Sequence, residues 1–186
     1  MSQPSDTSEE LLSRILAGEA PAFAEVVRLQ QRSVYSLALR MLGDRQKAED
    51  LAQEVFLQLH RNLATIESGR HLQFWLRKVT ANRAIDRLRR ESRVETLPLE
   101  AADGVADEGS DADPILRRRL RALVARLPPA PRAVVLLRYQ EDLDPTDIAR
   151  ALNMSIHTVK SHLKRSLAAL RRGIEAAAQD EVRSPT

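Results

Sequence analysis

Residues 144–172 read DPTDIARALNMSIHTVKSHLKRSLAALRR, the pattern of two helices joined by a tight turn. Asp144 is placed to cap the first helix. Pro145 takes the first helical position, where its missing N–H costs nothing, and Asp147 stands where a capping-box partner would. Ile148, Ala149 and Leu152 supply an apolar stripe. After Asn153-Met154, Ser155 can cap a second helix in which Val159, Leu163, Leu167 and Leu170 recur every three or four positions. His157, Thr158, Lys160, Ser161, Lys164 and Arg165 fall largely off that stripe. Cations, hydroxyls and an imidazole near the start of a second helix are what a recognition helix presents to base edges in the major groove. The plainer reading is a helical hairpin with a solvated basic face, and the rest of the chain weighs against it.

With 186 residues the chain can bury one or two small cores. Charge favours two. Residues 70–93 hold eight Lys or Arg against two acids, a net +6, and residues 116–173 hold thirteen against four, a net +9. Between them, residues 95–114 contain seven acids and no base, so the overall +3 conceals two cationic bodies joined by an anionic stretch. Clustered positive charge suits a polyanion, because each phosphate neutralised releases condensed counterions. Without cysteine there is no disulfide framework and no thiolate metal or redox site. The opening MSQPSDTSEELL has acids where a secretory signal has bases, and no apolar run approaches the roughly 20 residues that span a bilayer. A soluble cytoplasmic protein with no direct membrane insertion is expected. An aromatic content of 3% and scarce alternating β-branched runs predict an all-α chain.

The periodicity places a short helix at 8–17, with Leu11, Leu12, Ile15 and Leu16 on one side and Gly18 ending it. A longer one follows from about Pro21 to Leu42, closed by Gly43, and Asp44 caps a third over 45–62 with Ala48, Leu51, Ala52, Val55, Phe56 and Leu59 inward. Gly69 looks like the flexible point of a break around 65–70. The next helix, about His71 to Ser92, buries Leu72, Trp75, Leu76, Val79, Ile85 and Leu88 while presenting many arginines. Periodicity stops over 94–113, where acids, Pro98, Gly104 and Gly109 predict a flexible acidic linker. A helix restarts over 114–127 with Leu116, Leu120, Leu123, Val124 and Leu127 inward. Proline breaks follow, then the apolar segment before the helix-turn-helix, and the tail from Glu175 is expected to fray. The expected architecture is two small helical domains, at 8–93 and 114–174.

The runs AEDLAQEVFLQLHRN, FWLRKVTANRAIDRLRR, LPPAPRAVVLLRY and DPTDIARALNMSIHTVKSHLKRSLAAL, in that order, resemble a bacterial RNA polymerase sigma factor of the sigma-70 superfamily. The resemblance is closest to the small two-domain extracytoplasmic function (ECF) group and covers roughly residues 20–173. Departures are Asp144-Pro145, where many relatives have a more flexible approach to the helix, and His162, where arginine is common.

The resemblance implies that region two, about 20–92, binds core RNA polymerase through the helix of residues 45–62, with Glu49, Asp50, Gln53 and Glu54 on the docking face. It also implies that the loop over 64–72 and the helix after it help melt the promoter element nearer the start site, with Asn82, Arg83, Asp86, Arg89 and Arg90 lying along that element, arginines on phosphates and Asn82 on a base. Region four, about 115–173, would read the distal element through Lys160, Ser161, His162, Lys164 and Arg165. The implied partners are core polymerase, double-stranded and locally melted promoter DNA, and an anti-sigma factor. A helix-turn-helix regulator that works without polymerase remains the alternative, one that binds a palindrome as a dimer. An enzyme on nucleic acid fits poorly, since four scattered histidines and unpaired carboxylates offer neither a metal centre nor an acid–base pair. No cofactor, metal or catalytic residue is expected.

Overall fold

A computed structural model describes residues 4–92 and 113–183, and every regular element among them is helical. The chain divides into two compact units, residues 1–91 and 92–186. The linker expected over 94–113 lies outside the described residues, apart from Asp113.

The first unit holds α1 (Pro4–Leu16), α2 (Ala20–Leu42), α3 (Arg45–Asn62), a 3₁₀ turn (Leu63–Thr65) and α4 (Gly69–Glu91). α2 packs on α1, α3 and α4, and α4 also packs on α1 and α3. Between them lie Leu12, Val26, Leu37, Met41, Leu51, Val55, Leu59, Leu72, Leu76 and Ile85, all buried. Each such side chain contributes on the order of 1.5–3 kcal/mol by leaving water. Local signals fix the ends. Gly43 adopts a left-handed conformation (φ 72°) and its N–H donates to the Leu39 carbonyl, closing α2. The Asp44 carboxylate accepts from the Lys47 N–H at 2.9 Å and starts α3.

The start of α4 differs from expectation. Gly69 is the buried first residue of that helix rather than a flexible point, and its N–H donates to the Glu9 carboxylate of α1 at 2.5 Å. Ser68 Oγ accepts from the His71 N–H at 3.1 Å. Two side chains thus satisfy helix N–H groups that would otherwise lack partners. Trp75 and Val79, expected inside, are only half-buried, while Thr80 is fully buried and donates its hydroxyl to the Leu76 carbonyl at 2.8 Å. The first helix also begins earlier than periodicity suggested, at Pro4.

The second unit holds α5 (Pro114–Ala125), α6 (Pro129–Tyr139), α7 (Pro145–Leu152) and α8 (Ile156–Arg183). α8 packs on α5, α6 and α7 around Val135, Leu136, Ile148, Val159 and Leu170. Leu116, Leu120 and Leu167, expected inward, are exposed at 42%, 40% and 42%. α5 is held chiefly through Leu123 and Val124 nearer its end. Gly173 permits that contact, since a Cβ there would stand 2.5 Å from Leu123 Cδ2. The segment after Glu175 continues as helix to Arg183. Arg132 is buried, and its guanidinium donates to the Ala125 and Leu127 carbonyls at the α5–α6 turn. Burial holds its pKa below the ordinary arginine value.

Candidate nucleic-acid interface and partner face

The helix-turn-helix forms as the sequence predicts, with one change of partner. Asp144 Oδ1 accepts from the N–H groups of Thr146 at 2.7 Å and Asp147 at 2.9 Å. These bonds, Asp147's first, hold its carboxyl below the usual carboxylate range. Asp147 pairs forward with Arg150 at 3.1 Å. Asn153 supplies the left-handed residue of the turn (φ 50°), which asparagine tolerates better than most, and its N–H donates to the Ala149 carbonyl. Ser155 Oγ accepts from the Thr158 N–H at 3.0 Å and lies 2.8 Å from the Thr158 hydroxyl. Thr158 therefore belongs to the cap.

With Val159 fully buried, the first half of α8 turns Lys160, Lys164 and Arg165 to solvent and leaves Ser161 and His162 half-exposed. His157, Lys160, Ser161 and Lys164, at spacings of three and four, share one face. All five expected distal-element residues are thus accessible on one and a half turns of a capped helix.

On α4, Asn82, Arg83, Asp86 and Arg90 line one open depression, together with Lys78 and Gln58. Asn82 Nδ2 donates to the Lys78 carbonyl at 2.8 Å, and Arg90 Nε to the Asp86 carbonyl at 3.2 Å. Arg89, the fifth expected residue, is exposed but outside the lining. Lys78 and Gln58 were not singled out from sequence. Lys78 is one helical turn before Asn82, a spacing that could have suggested it, whereas Gln58 reaches the site from α3 and only the tertiary packing reveals it.

On α3, Glu49, Asp50, Gln53 and Glu54 are all exposed. Asp50 accepts from Gln46 Nε2 at 3.3 Å. Leu57 lies three and seven residues beyond Glu54 and Asp50, and is 59% exposed. A leucine out of register with the Ala48–Leu51–Val55–Leu59 stripe was a legible sign of an apolar contact. Glu54 is not simply solvated. One carboxylate oxygen accepts from Arg87 at 2.6 Å and the other from Arg83 at 3.2 Å, and Arg83 Nε also donates to Gln58 Oε1 at 2.8 Å. Arg87 further donates to the Lys47 carbonyl at 3.1 Å.

Among the described residues no group of three or more His, Asp or Glu could hold a metal ion, and no helix is long and apolar enough to cross a membrane. The surfaces that stand out are the cationic and amide groups of α4 and α8 and the acidic face of α3.

Comparison with known proteins places both units. Residues 26–94 match the family model for Sigma-70 region 2, and residues 117–170 match that for Sigma-70, region 4. The chain is 30% identical over 174 residues to the ECF RNA polymerase sigma factor SigW of Bacillus subtilis, covering 87% of this chain and 93% of the relative. It is 32% identical over 166 residues to the ECF sigma factor SigM of Mycobacterium tuberculosis, covering 89% and 84%. The fold is similar to that of the sigma factor RpoE in its complex with the anti-sigma factor NepR from Bartonella quintana, with a TM-score of 0.68 at 22% identity over 82% of this chain and 96% of that one. With the two regions in order and curated relatives matched over nearly their full lengths, the chain belongs to the ECF group of sigma-70 family RNA polymerase sigma factors.

Proposed function

We propose that this sigma factor binds core RNA polymerase through the acidic face of α3 and directs it to promoters by reading two separate elements. Glu49, Asp50 and Gln53 form the polar part of the docking face, and Leu57 its apolar anchor. An acidic patch around one exposed leucine suits a basic partner, the charges governing approach and the leucine adding buried area. Glu54, the fourth candidate on that face, commits its carboxylate to α4 instead.

The depression on α4 receives the proximal element. Arg83 and Arg90 neutralise phosphate, Asn82 and Gln58 offer donors and acceptors to a base edge, and Arg89 extends the cationic track. Holding an unpaired base there offsets the unstacking of a few kcal/mol that opening requires, so the chain acts as a binding factor rather than as an enzyme. In the second unit α8 enters the major groove of the distal element. Lys160, Lys164 and Arg165 can reach guanine acceptors or phosphates, with Ser161 and His162 adjusting base preference. Each good bidentate base contact adds about 1–3 kcal/mol of discrimination. The factor works in the cytoplasm, where its polymerase is, and an anti-sigma factor of the kind bound to its structural relative would act by covering these faces.

The observation that carries this reading is the exposure of a cationic face on each separately folded unit, one around the depression of α4 and one on the capped first half of α8. Run-off transcription with purified sigma-free core polymerase over a promoter library tests it. Initiation at defined sites only when this chain is added is the expected result. No initiation, with a footprint on naked DNA by the chain alone, would replace the reading by that of a polymerase-independent regulator.

A further inference from the structure

We infer that Glu54 is a positioning residue for the proximal-element surface, setting Arg83 in the depression of α4, and not part of the polymerase-docking face; this rests on the function proposed above. The geometry separates Glu54 from its neighbours on α3. Lys47, Glu54 and Gln58 follow one another at spacings of seven and four, which puts them on one stripe, and that stripe meets α4. Lys47 Nζ lies 2.9 Å from Glu91, Glu54 grips Arg83 and Arg87, and Gln58 accepts from Arg83. Asp50, Gln53 and Leu57 lie on the adjacent, outward stripe.

Arg83 is the residue these contacts converge on. It is bonded to two side chains of α3 and at the same time lines the depression beside Asn82 and Arg90. A free arginine carries about 2 kcal/mol of rotamer entropy, and ordering it beforehand spares that cost when the ligand arrives. Arg87 completes the support. Its side chain is 18% exposed, it is held by both the Lys47 carbonyl and Glu54, and it keeps the Glu54 carboxylate between two cations. Glu54 also limits how strongly the arginines attract any passing phosphate, so its loss should weaken selection more than adhesion.

The test is a double-mutant cycle in reconstituted holoenzyme, with the full chain as wild type, Glu54→Ala, Arg83→Ala and both together. Affinity for core polymerase is read by fluorescence anisotropy and promoter opening by fluorescence of a base analogue in the proximal element. Templates with single base changes there are run alongside, and thermal melting of each variant checks folding. The expected result is core affinity unchanged within about twofold and opening reduced about two- to fivefold by Glu54→Ala, the range an exposed ion pair supports. That loss should disappear in the Arg83→Ala background, and single base changes should be penalised less in Glu54→Ala than in wild type, which a general loss of structure would not produce. Parallel loss of core affinity and opening would make Glu54 a docking residue and overturn the inference. So would a loss that persists undiminished without Arg83, while wild type still initiates normally. Failure of the wild type to initiate anywhere would sink the functional reading itself.

Discussion

Replacing Arg132 by methionine should destabilise the second unit by about 2–3 kcal/mol. In the structure the guanidinium is buried at 5% exposure and donates to the carbonyls of Ala125 and Leu127, where α5 gives way to α6. Methionine fills similar space but donates nothing. Two carbonyls then lose a charged donor, at about 1–3 kcal/mol for each buried polar group left unpaired. Relief of the desolvation that depresses the Arg132 pKa returns part of this. For a unit of this size the remainder corresponds to a fall of roughly 10–20 °C in melting temperature. Circular dichroism during thermal unfolding of the full chain, with hydrogen exchange in α5 and α6 as the local probe, measures it. Arg132→Lys keeps the charge but not the planar fork, and should fall between. A methionine variant that melts within about 3 °C of wild type, or above it, would refute the reasoning, because the cost of burying the cation would then equal its contribution as a cap.

Three further outcomes are expected. Arg165→Ala should lower transcription that depends on the distal element, and Lys164→Ala should also reduce the logarithmic salt slope of DNA binding by about 0.9 if it meets one phosphate; core association, read by co-purification, should not change. Asp50→Ala combined with Gln53→Ala should reduce capture by core polymerase, and undiminished co-purification would remove them from the docking face. Asp144→Asn should flatten the acid side of the stability profile. Bonds from Asp147 and Thr146 lower the folded pKa of Asp144, so its contribution is complete above the unfolded value near 3.8 and is lost as pH falls through the folded value. Unfolding followed from pH 5 to pH 2 would then show equal slopes in variant and wild type only if the cap does nothing.

Local chemistry made much of this legible. Asp44 and Gly43 bound α3 and α2 where cap rules put them, and the helix-turn-helix follows from Asp144, Asn153 and Ser155. Contacts between elements were not legible. Gly69 reads as a hinge in a string of letters because its partner, Glu9, is sixty residues away. Leu116, Leu120 and Leu167 fit a helical stripe, yet among the described residues they stay exposed. Threonine is an unpromising core residue by type, but Thr80 can bond its own helix at Leu76 and so be buried without loss. The candidate surfaces were found for a related reason. Asn82, Asp86 and Arg90 share a face by spacing alone, whereas the attachment of Arg83 to Glu54 and Gln58 depends on how α3 lies against α4.

The close approach at Gly173 makes α8 a strut with a fixed bearing. The helix is unbroken from Ile156 to Arg183, so the side chains proposed to face the groove stand some 20 Å along the same axis from the point where Leu123 rests on bare backbone. A Cβ at that bearing would first displace the tip of Leu123, and only a side chain that the leucine cannot swing clear of would push α5 outward or tilt the strut. Once Leu123 has no further room to swing, a small tilt there becomes a larger sideways displacement at Lys160, at the other end of the lever.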